Sequence, residues 1–318
     1  MRFLLLVLFL CSCHLRQNPY EITQAEKCSN PLDVYGQFNT DSHSYEYTKE
    51  TISSDRTTQI VEYKLKAKSN LVFKDERERW IGLIAYINPR QDVPLLMIQP
   101  ISKGKYRISK YVAEYFYKRG WNCVIVKREE AYKKLKSPVD LNLQMHELIL
   151  DNRLIIDFLH EQKPFLFSDI AMFGISKGGI KTSMILGDDQ RVSAGVMVLA
   201  GGDLANMLSE SDEKGIKRVR EEYIKENGGG LKGFRESLKR ELEIDPLIMA
   251  PYIDGRKTLH ILAYFDKSVP YKYGHMLFEA MPGAQSYTLM AGHYSAILYL
   301  PFILNRSESF YRKKLSIK

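Results

Sequence analysis

A serine, a histidine and an aspartate occupy positions in this 318-residue chain where an activated hydroxyl could be assembled. The run Gly174-Ile175-Ser176-Lys177-Gly178 follows a short apolar stretch at residues 169–173 and precedes residues 180–186, which have the composition of a helix. Strand, Gly-x-Ser-x-Gly and helix together place a serine on a turn so tight that the positions two before and two after it must lack side chains. Ser176 then sits in a strained backbone at the head of a helix, its hydroxyl exposed and first-turn N–H groups close to any oxyanion formed there. A serine hydroxyl is a poor nucleophile until a base takes its proton, and that base needs an acid to orient it.

Seven histidines are available as the base. His14 and His43 fall in a polar leader, His146 and His160 on the helix before the apolar stretch, His260 inside a strand and His275 on a helix. His293 is placed differently. It follows Gly292 in the loop at the carboxyl end of the last strand, where a free backbone could turn the imidazole toward neighbouring strand ends. For the acid, Asp266 closes a buried strand just ahead of Val269-Pro270, which opens the next helix. Asp203, at the end of the preceding strand, competes with it, and a simple turn or helix-cap role is the structural alternative for Asp266.

Holding three such side chains together requires a rigid frame. The length allows one large α/β core without a second fold. Hydrophobic content of 45% and charged content of 26% are ordinary for a globular protein and exclude disorder as its class. The formal charge is +8, but the basic residues are scattered, with no basic run interleaved with aromatics. A nucleic-acid partner is therefore not expected; the charge is a surface property with a weak preference for membrane proximity. No His/Cys/Asp spacing suggests a metal ligand set, and the Gly174-to-Gly179 segment lacks the pattern of a phosphate-binding loop.

Residues 57–66 alternate (Ile60, Val61, Tyr63, Leu65), and residues 79–87 form a second run, as an antiparallel edge pair would. Residues 94–100 read as a continuous apolar strand of a buried parallel sheet. Strands at 122–127, 169–173 and 192–200 then alternate with helices at 108–117, 143–162 and 180–186. That order predicts one doubly wound, mostly parallel α/β sheet with its site at the carboxyl ends of the strands. Residues 203–253 break the rhythm with polar, helical composition and a Gly228-Gly229-Gly230 run. They are expected to form a cap over the site, the glycines permitting motion, although a solvated insertion would look the same. Alternation resumes with strand 258–265, helix 271–281, strand 286–290 and a final helix over 294–311.

The N-terminus reads as a targeting segment. Met1-Arg2 is followed by the apolar residues 3–10, a signal-type stretch too short to span a bilayer. Leu10-Cys11-Ser12-Cys13 is similar to a bacterial lipobox, in which cleavage before Cys13 accompanies its acylation and removes Cys11; plain secretion is the alternative. The expected layout is a signal peptide at 1–12, a polar tether at 13–56 containing Cys28, a core at 57–202 and 254–318, and the cap between. Such a chain would be exported, anchored by lipid on Cys13 or periplasmic. Cys123, inside an apolar run, is expected to be a small buried hydrophobe.

The elbow around Ser176, Asp266 with Val269-Pro270, and Gly292-His293 resemble the α/β-hydrolase superfamily in the chain order Ser, Asp, His. The resemblance covers residues 57 to 313. It implies an α/β-hydrolase sheet, no cofactor, and acyl transfer through an ester on the serine. It also implies an oxyanion hole made by the N–H of Lys177 and one from the loop after the strand at 95–98. The usual His-Gly of that loop is absent here. Pro100 has no N–H, so Ile101 is the expected second donor and Ser102 the reserve. The reading is a serine hydrolase acting on a small-molecule or lipid carboxylic ester, with Ser176 as nucleophile, His293 as base and Asp266 orienting it. Ser-Lys-Gly-Gly is also similar to acyl-CoA thioesterases and secreted serine aminopeptidases, and a non-catalytic binding member is a further alternative. The superfamily does not fix the substrate.

Overall fold

The computed structural model describes residues 45–315 except 55–57, 69, 73–77, 91, 103, 131 and 133–136. The signal-type segment, Cys11, Cys13, Cys28 and most of the expected tether lie outside the described residues, as do His14 and His43. Runs of apolar residues without polar interruption build the middle of a nine-stranded sheet. These are β4 (Leu95–Gln99), β5 (Asn122–Val126), β6 (Ile170–Ile175), β7 (Val192–Val198) and β8 (Thr258–Ala263), almost wholly buried because helices cover both faces. β1 (Tyr47–Ser54), β2 (Gln59–Lys66) and β3 (Trp80–Ile87) extend one edge antiparallel, and β9 (Gln285–Leu289) closes the other in parallel.

The order is β1-β2-β3-β5-β4-β6-β7-β8-β9. The chain leaves β4 for β5 on one side, then returns to lay β6 on the other side of β4. β4 and β6 thus flank the point where strand order reverses, and the carboxyl ends of strands at such a point open a crevice. Gln99 of β4 pairs in register with Gly174 of β6, bringing the loop after β4 beside the turn that carries Ser176.

Helices α1 (Arg107–Tyr117) and α9 (Leu300–Lys314) pack on one face; α2 (Pro138–Gln162), α3 (Lys177–Asp188) and α8 (Tyr271–Glu279) pack on the other. Under the first face, Phe116, Trp121 and Tyr311 are buried edge to face or tilted, at centroid separations of 5.4 to 5.9 Å. The Tyr311 hydroxyl donates to the Met172 carbonyl of β6 at 2.5 Å, satisfying its one polar atom. α2 begins where Ser137 accepts from the Asp140 N–H and Asp140 reaches back to the Ser137 N–H, with Pro138 at the first helical position.

Between β7 and β8 the chain inserts α4 (Leu204–Glu210), α5 (Lys214–Asn227), α6 (Gly230–Glu241) and the short α7 (Pro246–Met249). α4 and α6 pack through Ala205, Phe234 and Leu238. Gly228, Gly229 and Gly230 all take positive φ and make the tight turn from α5 into α6, a conformation other residues adopt only under strain.

Several boundaries differ from the sequence expectation; α2 starts at Pro138, five residues before the expected 143, because the Ser137–Asp140 cap lies ahead of the apolar pattern. The sheet starts at Tyr47, inside the stretch read as tether, because β1 is a solvent-exposed edge strand with no buried face to betray it. β8 stops at Ala263; Tyr264 and Phe265, which continue its apolar run, turn outward and are exposed. The final helix starts at Leu300, after a 3-10 turn over Ser295–Tyr299.

Arg79 ties the start of β3 to α2. Its guanidinium donates to both Asp151 oxygens at 2.7 and 2.5 Å and lies 3.4 Å from Glu147, which also accepts from the Leu71 N–H and the Tyr132 hydroxyl. Burial raises both carboxyls above their usual range, against the pull of Arg79 and, for Glu147, of Tyr132. Replacing Arg79 by methionine leaves two buried carboxylates without their cation. Urea denaturation at neutral pH should show a loss of about 3 kcal/mol or more. The carboxyls are raised relative to the unfolded chain, so this penalty applies above the unfolded carboxyl range and shrinks as pH falls through the folded values.

Candidate active site

Ser176 stands between β6 and α3 with φ 56° and ψ −125°, a conformation disfavoured for a residue with a Cβ. Its N–H donates to the Val198 carbonyl of β7 at 2.8 Å, and its carbonyl accepts the first helical bond of α3 from Ile180. The flanking glycines are required by space. A Cβ at Gly174 would lie 2.1 Å from the Gly178 carbonyl oxygen, and one at Gly178 would lie 2.2 Å from the Gln99 carbonyl oxygen. Lys177 is the first residue of α3, so its N–H has no acceptor within the helix and belongs to the positive end of the helix dipole.

The Ser176 hydroxyl lies 2.9 Å from Nε2 of His293, and His293 Nδ1 lies 2.7 Å from Oδ2 of Asp266. The second Asp266 oxygen accepts from the N–H groups of Ser268 and Val269, both at 2.8 Å, which fixes the carboxylate plane. Asp266 is 6% exposed, so its charge is sheltered while His293 faces the cavity. Nδ1–H donating to the carboxylate leaves Nε2 with its lone pair toward the serine, the tautomer a general base needs.

The histidine is held differently from the sequence expectation. Gly292 does not use a positive φ. Its missing side chain lets the Phe265 carbonyl approach, a Cβ there falling 3.3 Å from that oxygen, and its N–H donates to Ser295 Oγ at 2.9 Å. Asp203, the competing acid, caps α4, accepting from the Asn206 side chain at 2.7 Å. His260 is a core residue: Nε2–H donates to the Ala200 carbonyl at 3.1 Å, and burial pushes it down to about 4, so it stays neutral.

The structure therefore joins Ser176, His293 and Asp266 in one chain of hydrogen bonds, with Lys177 beside them. Ile101 lies in the adjoining loop, where Pro100 and Ser102 line the cavity. Arg128, just beyond β5, clamps that loop: Nη1 donates to the Ile101 carbonyl at 2.7 Å and Nη2 to the Gly104 carbonyl at 2.6 Å. Sequence reasoning missed Arg128, although a charged residue directly after a buried strand, at the end where sites form, was a usable signal.

Ser176 and His293 open into a cavity of about 440 Å³, roofed by Leu204 and Met207 of α4 and Ile216 and Val219 of α5. Within it Lys177 donates to Gln144 Oε1 at 3.0 Å, and Lys181 stands one turn further along α3. Burial lowers Lys177 to about 8, assisted by Arg128; burial and the neighbouring Lys177 lower Lys181 to about 7, against the pull of Asp151. Among the described residues no group of three His, Cys, Asp or Glu is placed to hold a metal ion.

Solved structures share this architecture. An acetyl xylan esterase from Paenibacillus sp. R4 superposes with a TM-score of 0.68 at 13% identity, over 89% of this chain and 92% of that one. Acetyl xylan esterase 1 from Thermoanaerobacterium sp. JW/SL YS485 gives 0.60 at 14% identity, over 87% and 95%. A cold-adapted esterase from an Arctic intertidal metagenomic library gives 0.56 at 14%, over 85% and 99%. No protein-family model matches the chain, and no curated protein matches it in sequence. At these identities the likeness is one of fold, and that fold is the α/β-hydrolase fold.

Gly178→Ala tests the packing that holds the site. The added methyl must displace the Gln99 carbonyl and the loop after β4, so a loss of about 2–3 kcal/mol in urea denaturation is expected. A change within about 0.5 kcal/mol would show that the turn has slack.

Proposed function

We propose that this α/β-hydrolase-fold chain is a serine hydrolase that cleaves carboxylic esters. The observation that carries the reading is the unbroken chain from Ser176 Oγ through His293 to Asp266, opening into a cavity that the helical insertion helps to line. The esterase names of the three solved structures support an ester as the substrate class. In this reading His293 Nε2 takes the Ser176 proton as Oγ attacks the acyl carbon. The resulting oxyanion is held by the Lys177 N–H and by Ile101 in the Arg128-clamped loop. The protonated His293, oriented and balanced by Asp266, then gives its proton to the departing alcohol oxygen, leaving an acyl ester on Ser176. A water deprotonated by His293 hydrolyses that ester and releases the carboxylic acid. The helical insertion roofs the cavity with apolar side chains and selects the acyl and alcohol groups.

For location, the reading is an exported lipoprotein held to a membrane through Cys13. It is supported by the Met1-Arg2 start, the apolar run at residues 3–10 and the Leu10-to-Cys13 pattern. Among the described residues no helix is long and apolar enough to cross a membrane.

Fluorophosphonate labelling tests the catalytic reading. Wild type should label, and Ser176→Ala and His293→Ala should not; Asp266→Asn should retain the fold and lose about 10³–10⁴-fold in kcat. A well-folded wild type that neither labels nor hydrolyses a panel of esters, thioesters and amides would overturn it, and turnover of amides alone would make the chain a peptidase. The anchor is checked by expressing the full chain in bacteria with radiolabelled palmitate. Label should enter wild type and be lost in Cys13→Ala; label unaffected by that change would exclude Cys13 as the acylated residue.

A further inference from the structure

The cavity beyond Ser176 is chemically lopsided. The sheet order places β7, β8 and β9 on one side of β6 and β4 and β5 on the other. Asp266 and His293 come from the β8–β9 side. Gln144 near the start of α2 and Arg128 beyond β5 come from the opposite side, and there Lys177 meets Gln144. The alcohol of an ester must leave next to the histidine that protonates it, so the acyl group extends the other way. Its path leads toward Lys177 and then Lys181, about 6 Å further along the axis of α3.

Both ammonium groups line this part of the cavity, where Asp151 attracts Lys181 without forming an ion pair with it. Among the described residues Lys177 bonds only to the neutral Gln144, and Lys181 makes no hydrogen bond or ion pair. Most other charges facing the cavity are already engaged. Asp151 on α2 is held by Arg79, and Lys127 beyond β5 is paired with Glu62 at 2.7 Å. Arg128 donates to loop carbonyls, and Glu213 of the insertion accepts from the Gly215 and Ile216 N–H groups. Arg218 lies 3.9 Å from Glu222, and Glu129 also has a partner. Two desolvated cations balanced only by the attraction of Asp151, which is itself engaged by Arg79, are costly unless an anion joins them.

We propose that Lys177 and Lys181 form a carboxylate-binding subsite for the acyl group, making the substrate a half-ester of a short dicarboxylic acid. The inference rests on the serine-hydrolase reading and names its substrate class. The free carboxylate sits between the two ammonium groups while the ester carbonyl meets Ser176. Hydrolysis adds one water, returning the alcohol and a dicarboxylate whose second charge, formed at the serine, favours release.

Bound anion raises both lysine pKa values. The preference for a charged acyl group should therefore be full below pH 7 and decline as pH rises through the free values of about 7 and about 8.

The experiment compares kcat/KM for phenyl hemisuccinate and phenyl butyrate, with spontaneous hydrolysis subtracted, in wild type, Lys181→Met and Lys181→Arg. Wild type should favour the hemisuccinate by about tenfold or more at pH 6.5, Lys181→Met should lose that preference, and Lys181→Arg should restore part of it. A second measurement needs no variant: free succinate should inhibit wild type competitively at least about tenfold better than butyrate at pH 6.5, and the advantage should fade above pH 8. Equal turnover of the two esters, or equal inhibition by the two acids, would overturn the subsite while leaving the serine hydrolase standing. Failure to hydrolyse either ester, with no fluorophosphonate labelling, would instead remove the reading on which it rests.

Discussion

The approach of Gly178 to the Gln99 carbonyl is the contact on which the rest of this structure depends. It lets α3 begin within a residue of where β6 ends, and it presses the loop after β4 against the first turn of the helix. Ser176 is trapped at the junction with a positive φ, at a cost of about 1–3 kcal/mol. That strain is sustained by the bond from the Ser176 N–H to β7, by the start of α3 and by the buried sheet on either side. A serine in a relaxed turn would direct its hydroxyl elsewhere, and nothing at the ends of β8 and β9 could follow it.

Around that fixed point the other groups are placed with little freedom. Asp266 is gripped by two backbone N–H groups and buried, so it can hold His293 in one orientation. Arg128 fastens the loop after β4 through two carbonyls, which turns it into a defined wall. The insertion contributes Leu204, Met207, Ile216 and Val219 to the cavity wall, and beside low-dielectric side chains a charge acts more strongly than in open water. This is why two lysines on adjacent turns of α3 matter here, whereas on a surface helix they would be unremarkable.

Much of this was legible before any coordinates. Gly174, Ser176 and Gly178 imply a tight turn because no residue with a Cβ fits at the flanking positions. Unbroken apolar runs at β4 to β8 imply strands covered on both faces. Asp266 and His293 stood out by lying just past strand ends, where α/β sheets carry their sites. The exposed strand β1 was not legible, since its stability comes from backbone pairing with β2 and leaves no hydrophobic alternation to read. The early end of β8 was hidden because Tyr264 and Phe265 are as apolar as the strand they leave. Arg128 and Lys181 do not stand out among the scattered basic residues, because sequence carries no record of which side chains share a cavity.

The sequence by itself determined the local devices: the tight turn at Ser176, the capped start of α2, the buried strands, and the chemistry available at residues 176, 266 and 293. These follow from steric and hydrogen-bonding demands acting over a few residues. Tertiary structure alone decided that Ser176, His293 and Asp266 touch, that Asp203 caps a helix instead, and that Lys177 and Lys181 line one cavity. Those outcomes depend on which strands lie side by side and on how the insertion folds back. They are contacts between residues far apart in the chain, set by the packing of the whole sheet and its helices, and no short stretch of residues contains them.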